Sequence, residues 1–199
     1  AKGDTVLLSS WFTGTVQVVD RKSGKTRDML HDFKAPHDAV MLDDGSILVN
    51  ELGTKSLVRA SGEHGKDRTA VIGGLEGPVG MAGGAKGIVY VTEAFAGLVS
   101  KIETNGNKIA VAKDLKMPEG IAIAPDGKLI VAEVGAKRLV SIDPQSGTVT
   151  EIAGSLPIGL PGAPSGLPTN MPTGVGVGET GTIYFSSDTE NAIYKVTKK

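Results

Sequence analysis

The chain has 199 residues, of which 40% are hydrophobic and 22% charged, and this composition is typical of one folded globular domain. No apolar run approaches the length of a membrane span, and the net charge of −1 gives no attraction to nucleic acid or to an anionic membrane. We therefore expect neither nucleic acid nor a membrane as a partner. The chain has no cysteine and residues 1–4 do not resemble a signal peptide, which is compatible with a cytoplasmic, periplasmic or secreted protein.

A proline-led unit repeats along the chain. It begins at Pro36, Pro78, Pro118 and Pro172, and a fifth, partial unit spans residues 4–20. The first two intervals are 42 and 40 residues, and the third, of 54, equals one period plus about 14 inserted residues. Periods of about 40 to 45 residues with several short strands per unit are typical of β-propeller blades.

The unit that starts at Pro118 shows the pattern most clearly. Apolar stretches at residues 120–124 and 129–132 flank Asp126-Gly127, a dipeptide that favours a hairpin turn. Two further stretches, at residues 138–142 and 148–152, follow across loops that contain glycine. One unit therefore predicts a four-stranded antiparallel blade, and we expect essentially no helix.

The strands are unevenly distributed among the units. The first unit supplies three, at residues 6–9, 15–19 and 27–30, the middle units four each, and the last unit three. We predict an all-β single domain over residues 1–199, with about five blades at 4–33, 36–75, 78–115, 118–153 and 172–199. The missing strands do not complement each other, so the count predicts part of a larger ring, most simply six blades. A closed five-bladed ring and closure by a second copy are the alternatives, and open blade edges would favour self-association.

An insertion at residues 155–171 contains four prolines and leads from the fourth strand of one unit to the first strand of the next. That position places it at one end of the predicted ring. We expect it either to cover that end as a binding loop or to pack against the neighbouring blade.

Residues 148–196 resemble NHL-repeat propellers, because an alanine-glycine turn leads through a glycine-rich loop to a proline-led strand and a polar-ending second strand. The repeats are also similar to the broader group that contains SMP-30/gluconolactonase-like proteins and the virginiamycin B lyase type. The resemblance covers almost the whole chain. It implies a β-propeller whose activity could be lactone hydrolysis, lyase chemistry or plain protein binding.

Two positions of each unit are expected to meet on one face of a propeller, here called the top face. They are the residue after each proline, at the start of the first strand, and the residue 15 positions after it, at the end of the second strand. The first set is His37, Val79, Glu119 and Thr173, and the second is Glu51, Glu93, Glu133 and Ser187.

Crowded carboxylates with one imidazole favour a hard divalent cation such as calcium or magnesium. We therefore predict Glu51, Glu93, Glu119 and Glu133 as metal ligands at the mouth of the central channel. His37 and Glu119 are the candidate catalytic residues, because they break the symmetry of the repeat. The alternative is that the repeated glutamates bond backbone amides of neighbouring loops, with no cofactor at all.

Two functional hypotheses follow. The first is a binding scaffold that recognises a small molecule or a protein segment through its top face, where Trp11 and Phe12 either contact the ligand or pack against the next blade. The second is a divalent-metal-dependent hydrolase, similar to lactonases, or a lyase, with its site at the mouth of the channel.

Overall fold

The computed structural model describes residues 2–160 and 172–197, and within them the predicted propeller of five antiparallel blades is confirmed. The described part contains strands and only three short 3₁₀ turns, at Glu63–Gly65, Ala85–Gly87 and Val134–Ala136. No helix in these ranges is long and apolar enough to cross a membrane.

Each blade is a meander whose strands pair in chain order. Blade 1 contains β1 (Thr5–Ser10), β2 (Thr15–Asp20) and β3 (Thr26–Leu30), and blade 2 contains β4 (Pro36–Met41), β5 (Ile47–Glu51), β6 (Ser56–Ser61) and β7 (Asp67–Ile72). Blade 3 contains β8 (Pro78–Gly83), β9 (Val89–Glu93), β10 (Leu98–Ile102) and β11 (Lys108–Ala112). Blade 4 contains β12 (Pro118–Ile123), β13 (Leu129–Glu133), β14 (Arg138–Ile142) and β15 (Val149–Ala153), and blade 5 contains β16 (Val175–Val177), β17 (Ile183–Ser187) and β18 (Ala192–Val196).

The hairpin turns form where the aspartate-glycine pairs predicted them. Gly45 and Gly127 adopt φ of +83° and +84°, a region that residues with a side chain rarely occupy. A register shift near the start of each first strand then places the leading proline opposite the last residue of the second strand: Pro36 opposite Glu51, Pro78 opposite Glu93 and Pro118 opposite Glu133.

The hydrophobic core lies between the blades. Alternate strand residues point to opposite faces of a blade, so each blade contributes one apolar face to each neighbour. Between blades 3 and 4, for example, Val99 of β10 packs with Leu129, Val131 and Val140, all completely buried. Similar clusters join the other neighbouring blades of the described part.

A repeated hydrogen bond shows which strand is missing from blade 1. Near the end of the second strand, Asn50 Nδ2 donates to the Val79 carbonyl oxygen and Thr92 Oγ1 to that of Glu119. Ser9 Oγ makes the equivalent bond to the His37 carbonyl oxygen at 2.7 Å. Strand β1 is therefore the second strand of its blade, as the late start of the first unit predicted.

In each blade, the strand nearest the channel packs against the corresponding strand of the next blade, in the order β1, β4, β8, β12 and β16. In blade 1 this strand is β1, because the described part contains no strand on its channel side. No comparable packing joins β1 to β16 within the described ranges. Membership of a six-bladed ring stays a prediction.

The first part of the insertion packs on blade 5. Ile158 is completely buried, and the Asp188 carboxylate accepts hydrogen bonds from the backbone N–H groups of Gly159 and Leu160 at 2.9 and 2.7 Å. Residues 161–171, where the rest of the predicted binding loop falls, lie outside the described part of the chain.

Candidate functional site on the top face

The three repeated glutamates, Glu51, Glu93 and Glu133, occupy equivalent positions at the top of blades 2, 3 and 4, and all three are buried. One carboxylate oxygen of each accepts a hydrogen bond from the backbone N–H of the residue two positions before the leading proline. These donors are Lys34, Glu76 and Lys116, at 2.9, 2.9 and 2.7 Å respectively. Each glutamate thus ties the end of its second strand to the loop that enters its own blade.

The remaining glutamate oxygens also have partners within their own blades. Thr54 Oγ1 donates to Glu51 at 2.6 Å, and Arg138 Nε donates to Glu133 at 2.7 Å. Lys108 Nζ lies 3.1 Å from Glu93, whose side chain is almost completely buried. This is the arrangement that the backbone-bonding alternative predicts.

The structure does not bring the predicted metal ligands into one cluster. Among residues 2–160 and 172–197, no group of three or more histidine, aspartate and glutamate side chains is close enough to hold a metal ion. The set of glutamates therefore does not fit a shared calcium or magnesium centre, because its oxygens are used by amides, hydroxyls and cations of the separate blades.

Glu119 differs from these glutamates, since it lies at the start of β12 and reaches across to blade 5. Its side chain is 4% exposed, and its Oε2 accepts a hydrogen bond of 2.7 Å from the Thr173 backbone N–H. Burial raises the pKa of Glu119 to about 7, against the opposing effect of that hydrogen bond, and the charge of Asp188 adds to the rise. A carboxyl group with this pKa can both donate and accept a proton near neutral pH.

His37 lies at the start of β4, in a separate part of the top face. Its ring centroid is 5.3 Å from that of Trp11, which in turn stacks on Phe12 at 5.4 Å. Its Nε2 is buried without a hydrogen-bond partner among the described residues, and burial lowers the pKa of His37 below its ordinary value. We call Trp11, Phe12 and His37 the aromatic shelf.

The aromatic shelf ends in solvent. Phe12 is 94% exposed and is the most exposed large apolar residue of the described part. Phe95, in the equivalent loop of blade 3, is 63% exposed. Burial against the next blade, one of the two outcomes expected for the Trp11-Phe12 pair, does not occur for Phe12.

Asp38 is a residue that the sequence analysis did not select. It lines a cavity of about 590 Å³ in the central channel, together with residues of the innermost strands of all five blades. Burial raises the pKa of Asp38 to about 6, although the backbone N–H groups of Met81 and Ala39 donate to its carboxylate. The sequence does distinguish this position, because Asp38 breaks the repeat: the equivalent residue in the three later units is glycine, at Gly80, Gly120 and Gly174.

Known structures place the chain among β-propellers, whereas no protein-family model and no curated protein sequence matches it. It is similar to a catalytically inactive virginiamycin B lyase from Staphylococcus aureus with quinupristin (TM-score 0.63, 17% identity, 96% of this chain and 65% of that chain). It is also similar to a gluconolactonase from Xanthomonas campestris (TM-score 0.71, 17% identity, 96% of this chain and 71% of that chain). A chain of a nidogen–laminin complex superposes with TM-score 0.75 at 16% identity, covering 98% of this chain and 74% of the other.

These likenesses establish a β-propeller fold, and they confirm the β-propeller architecture that the repeats predicted. The chain spans less than two thirds of the length of the lyase. The neighbours include enzymes and a chain of a protein complex, so the fold is shared by proteins with different activities.

Proposed function

We propose that the chain is a binding scaffold whose top face holds a small molecule with a planar or aromatic ring. The observation that carries the proposal is the aromatic shelf, in which an almost fully exposed phenylalanine is stacked on a tryptophan beside a half-buried histidine. A ring that lay on Phe12 would remove apolar surface from water, and stacking would add to that gain.

The shelf also has features suited to recognition rather than to stability alone. Phe12 is 94% exposed and contributes little to the hydrophobic core, so a role in stabilising the fold does not explain this side chain. The Nε2 of His37 has no partner among the described residues, and a ligand that moved Trp11 aside could bond it.

Trp11 is the only tryptophan of the chain, so its fluorescence reports on this site. We would titrate the protein with quinupristin, gluconolactone and indole, and repeat each titration with Phe12→Ala. We expect at least one ligand to change Trp11 fluorescence, with affinity at least about tenfold weaker in the variant. Ile109→Ala, which removes an exposed apolar side chain on β11, is the control and should bind like the wild type. Absence of binding by all three ligands, or equal binding by Phe12→Ala, would contradict the proposal.

The second candidate function is a lactone hydrolase or lyase at the mouth of the channel, with Glu119 as the group that moves the proton. It is favoured by Glu119, whose buried carboxyl group has a pKa suited to proton transfer near neutral pH. The test is turnover of gluconolactone and quinupristin by chelated protein, with and without added calcium or magnesium. Turnover that is lost in Glu119→Gln would favour this candidate over the scaffold, and the comparison with and without metal would show whether a cation takes part.

A further inference from the structure

Asp38 occupies a position at which the next two blades have no room for a side chain. The equivalent residues there are Gly80 and Gly120. A Cβ atom on either glycine would overlap a carbonyl oxygen of the following blade, that of Glu119 or Thr173 respectively. The junction between blades 2 and 3 therefore admits a side chain that the next two junctions exclude.

The residues that bridge these junctions differ in the same way. Between blades 3 and 4, one hydroxyl oxygen, that of Thr92, bonds both first strands. Between blades 2 and 3, Asn50 uses both ends of its amide group, because Oδ1 accepts a hydrogen bond from the Asp38 N–H and Nδ2 donates one to the Val79 carbonyl oxygen. The longer bridge matches the space that Asp38 needs.

Strand alternation directs the side chain of Asp38 toward blade 3. Val40, two residues further along β4, packs in the same cluster as Met81, whereas Ala39 packs on the side of blade 1. One carboxylate oxygen of Asp38 accepts a hydrogen bond from the Met81 N–H, and the other accepts one from the Ala39 N–H, both at 2.8 Å. The carboxylate is thus held in one orientation at the channel wall, between two blades that each have all four strands.

The carboxylate of Asp38 forms no ion pair with a side chain of residues 2–160 or 172–197. Each of its oxygens accepts one backbone hydrogen bond and keeps a further acceptor site. The other charged side chains that line the cavity are Lys2 and Asp43, and these two pair with each other at 2.7 Å. An uncompensated charge in a place of low hydration is costly, so the cavity favours a cation beside Asp38.

The rest of the cavity is lined mainly by apolar side chains, among them Val40, Met81, Ile121 and Ile123. A cation that also carries an apolar body suits such a lining. A four-carbon amine has five non-hydrogen atoms, and at roughly 30 Å³ for each, the share of a water molecule, it fills about a quarter of the 590 Å³ cavity. It therefore needs only the part of the cavity next to Asp38.

We propose that Asp38 anchors a binding site in the central channel for small aliphatic amines in their protonated form. The ammonium group donates hydrogen bonds to the further acceptor sites of the carboxylate, and the alkyl chain lies against the apolar lining. The pKa of Asp38, about 6, leaves the carboxylate ionised at neutral pH, as this pairing requires. The site differs from the aromatic shelf in position and in the chemistry of its ligand.

The test is a calorimetric titration of the full chain with n-butylammonium chloride at neutral pH. The neutral ligand 1-butanol, which has the same number of non-hydrogen atoms, is titrated in parallel. We expect the amine to bind with a Kd of about 1 to 10 mM, which suits so small a ligand, and the alcohol to bind at least about tenfold more weakly.

Two variants locate the bound amine. Asp38→Asn keeps the shape of the side chain and removes its charge, whereas Asp38→Gly restores the residue that the later units have at this position. Both should bind n-butylammonium at least about tenfold more weakly than the wild type. Asp43→Asn, which removes the other carboxylate of the lining, and Phe12→Ala, on the aromatic shelf, are the controls and should bind it like the wild type.

If neither Asp38 variant folds, the pH dependence of binding to the wild type decides. An alkylammonium group stays charged over the whole range, so affinity should fall as the pH is lowered through about 6, where Asp38 takes up its proton. The neighbouring strands β5 and β8 bring Asn50 and Met81 against Asp38, and neither titrates. His37, the adjacent titratable group on β4, is removed in His37→Gln, which should give the same midpoint.

Four outcomes would overturn the proposal. Three of them are no saturable binding of n-butylammonium, equal binding of 1-butanol, and equal binding by Asp38→Asn and the wild type. The fourth is a midpoint near pH 7, which would assign the amine to Glu119, at the junction of blades 4 and 5.

Discussion

Thr92 Oγ1 donates a hydrogen bond of 2.6 Å to the Glu119 carbonyl oxygen and accepts one of 2.8 Å from the Gly80 N–H. These bonds join the second strand of blade 3 to the first strands of blades 3 and 4. Asn50 makes the same kind of connection from blade 2 to blade 3. The connection is missing between blades 4 and 5, because the equivalent residue there is Ala132, which has no polar side-chain atom.

The first prediction concerns Thr92. Thr92→Val keeps the shape of the side chain and leaves the Gly80 N–H and the Glu119 carbonyl oxygen without this partner in a buried place. We expect a loss of about 1 to 3 kcal/mol in the free energy of unfolding, measured in urea. Thr69→Val, the same change on the exposed strand β7, should have an effect near zero. A similar loss in both variants would show that the hydroxyl of Thr92 is not what stabilises the junction.

The second prediction concerns the repeated glutamates. Glu133→Ala removes the acceptor of the Lys116 N–H and the buried partner of Arg138, and should destabilise the fold by about 2 to 4 kcal/mol. Glu151→Ala removes the exposed partner on the other side of Arg138 and should have only a small effect. Both values should be unchanged by a chelator. A destabilisation by chelation in the wild type that is absent in Glu133→Ala would instead identify Glu133 as a metal ligand.

The repeat made the blades predictable because strand alternation, aspartate-glycine turns and leading prolines act locally, within a few residues. The same local logic placed Glu51, Glu93 and Glu133 correctly at the ends of second strands. It could not place their oxygens relative to one another, because that depends on which loop amide each carboxylate meets. The partners of Glu119 were beyond prediction for a similar reason, since Thr173 and Asp188 approach it across a blade junction.

The third prediction is a pH dependence of stability that arises from Glu119. The pKa of its carboxyl group is about 7 in the folded protein and ordinarily 4.5. Between these values the unfolded chain has lost the proton and the folded chain keeps it, so stability falls as the pH rises. The fall is about 3 kcal/mol between pH 5 and pH 8 if the full shift is realised. Glu119→Gln should therefore gain stability over the wild type across this interval.

Urea unfolding of both proteins at several pH values measures this difference. The raised pKa of Asp38, about 6, also makes the free energy of unfolding fall as the pH rises. Asp38 is present in both proteins, so its effect cancels in the comparison. Glu179→Gln, in an exposed turn, is the matched control and should follow the wild type. Parallel stability curves for wild type and Glu119→Gln would mean that the carboxyl group ionises normally in the folded state.

The fourth prediction concerns the aromatic shelf. His37 lies 5.3 Å from Trp11, and a protonated imidazole at this distance quenches indole fluorescence. Because burial lowers the pKa of His37, the quenching should appear with a midpoint below 6.5 as the pH falls. Stability should fall over the same range, since below pH 6.5 the unfolded chain binds the proton more readily than the folded chain does. His37→Gln should abolish the fluorescence step, whereas His31→Gln, which changes an exposed histidine, should leave it intact. If the midpoint of the fluorescence change lies at or above pH 6.5, water reaches the His37 ring freely. The aromatic shelf would then have no buried nitrogen to offer a ligand.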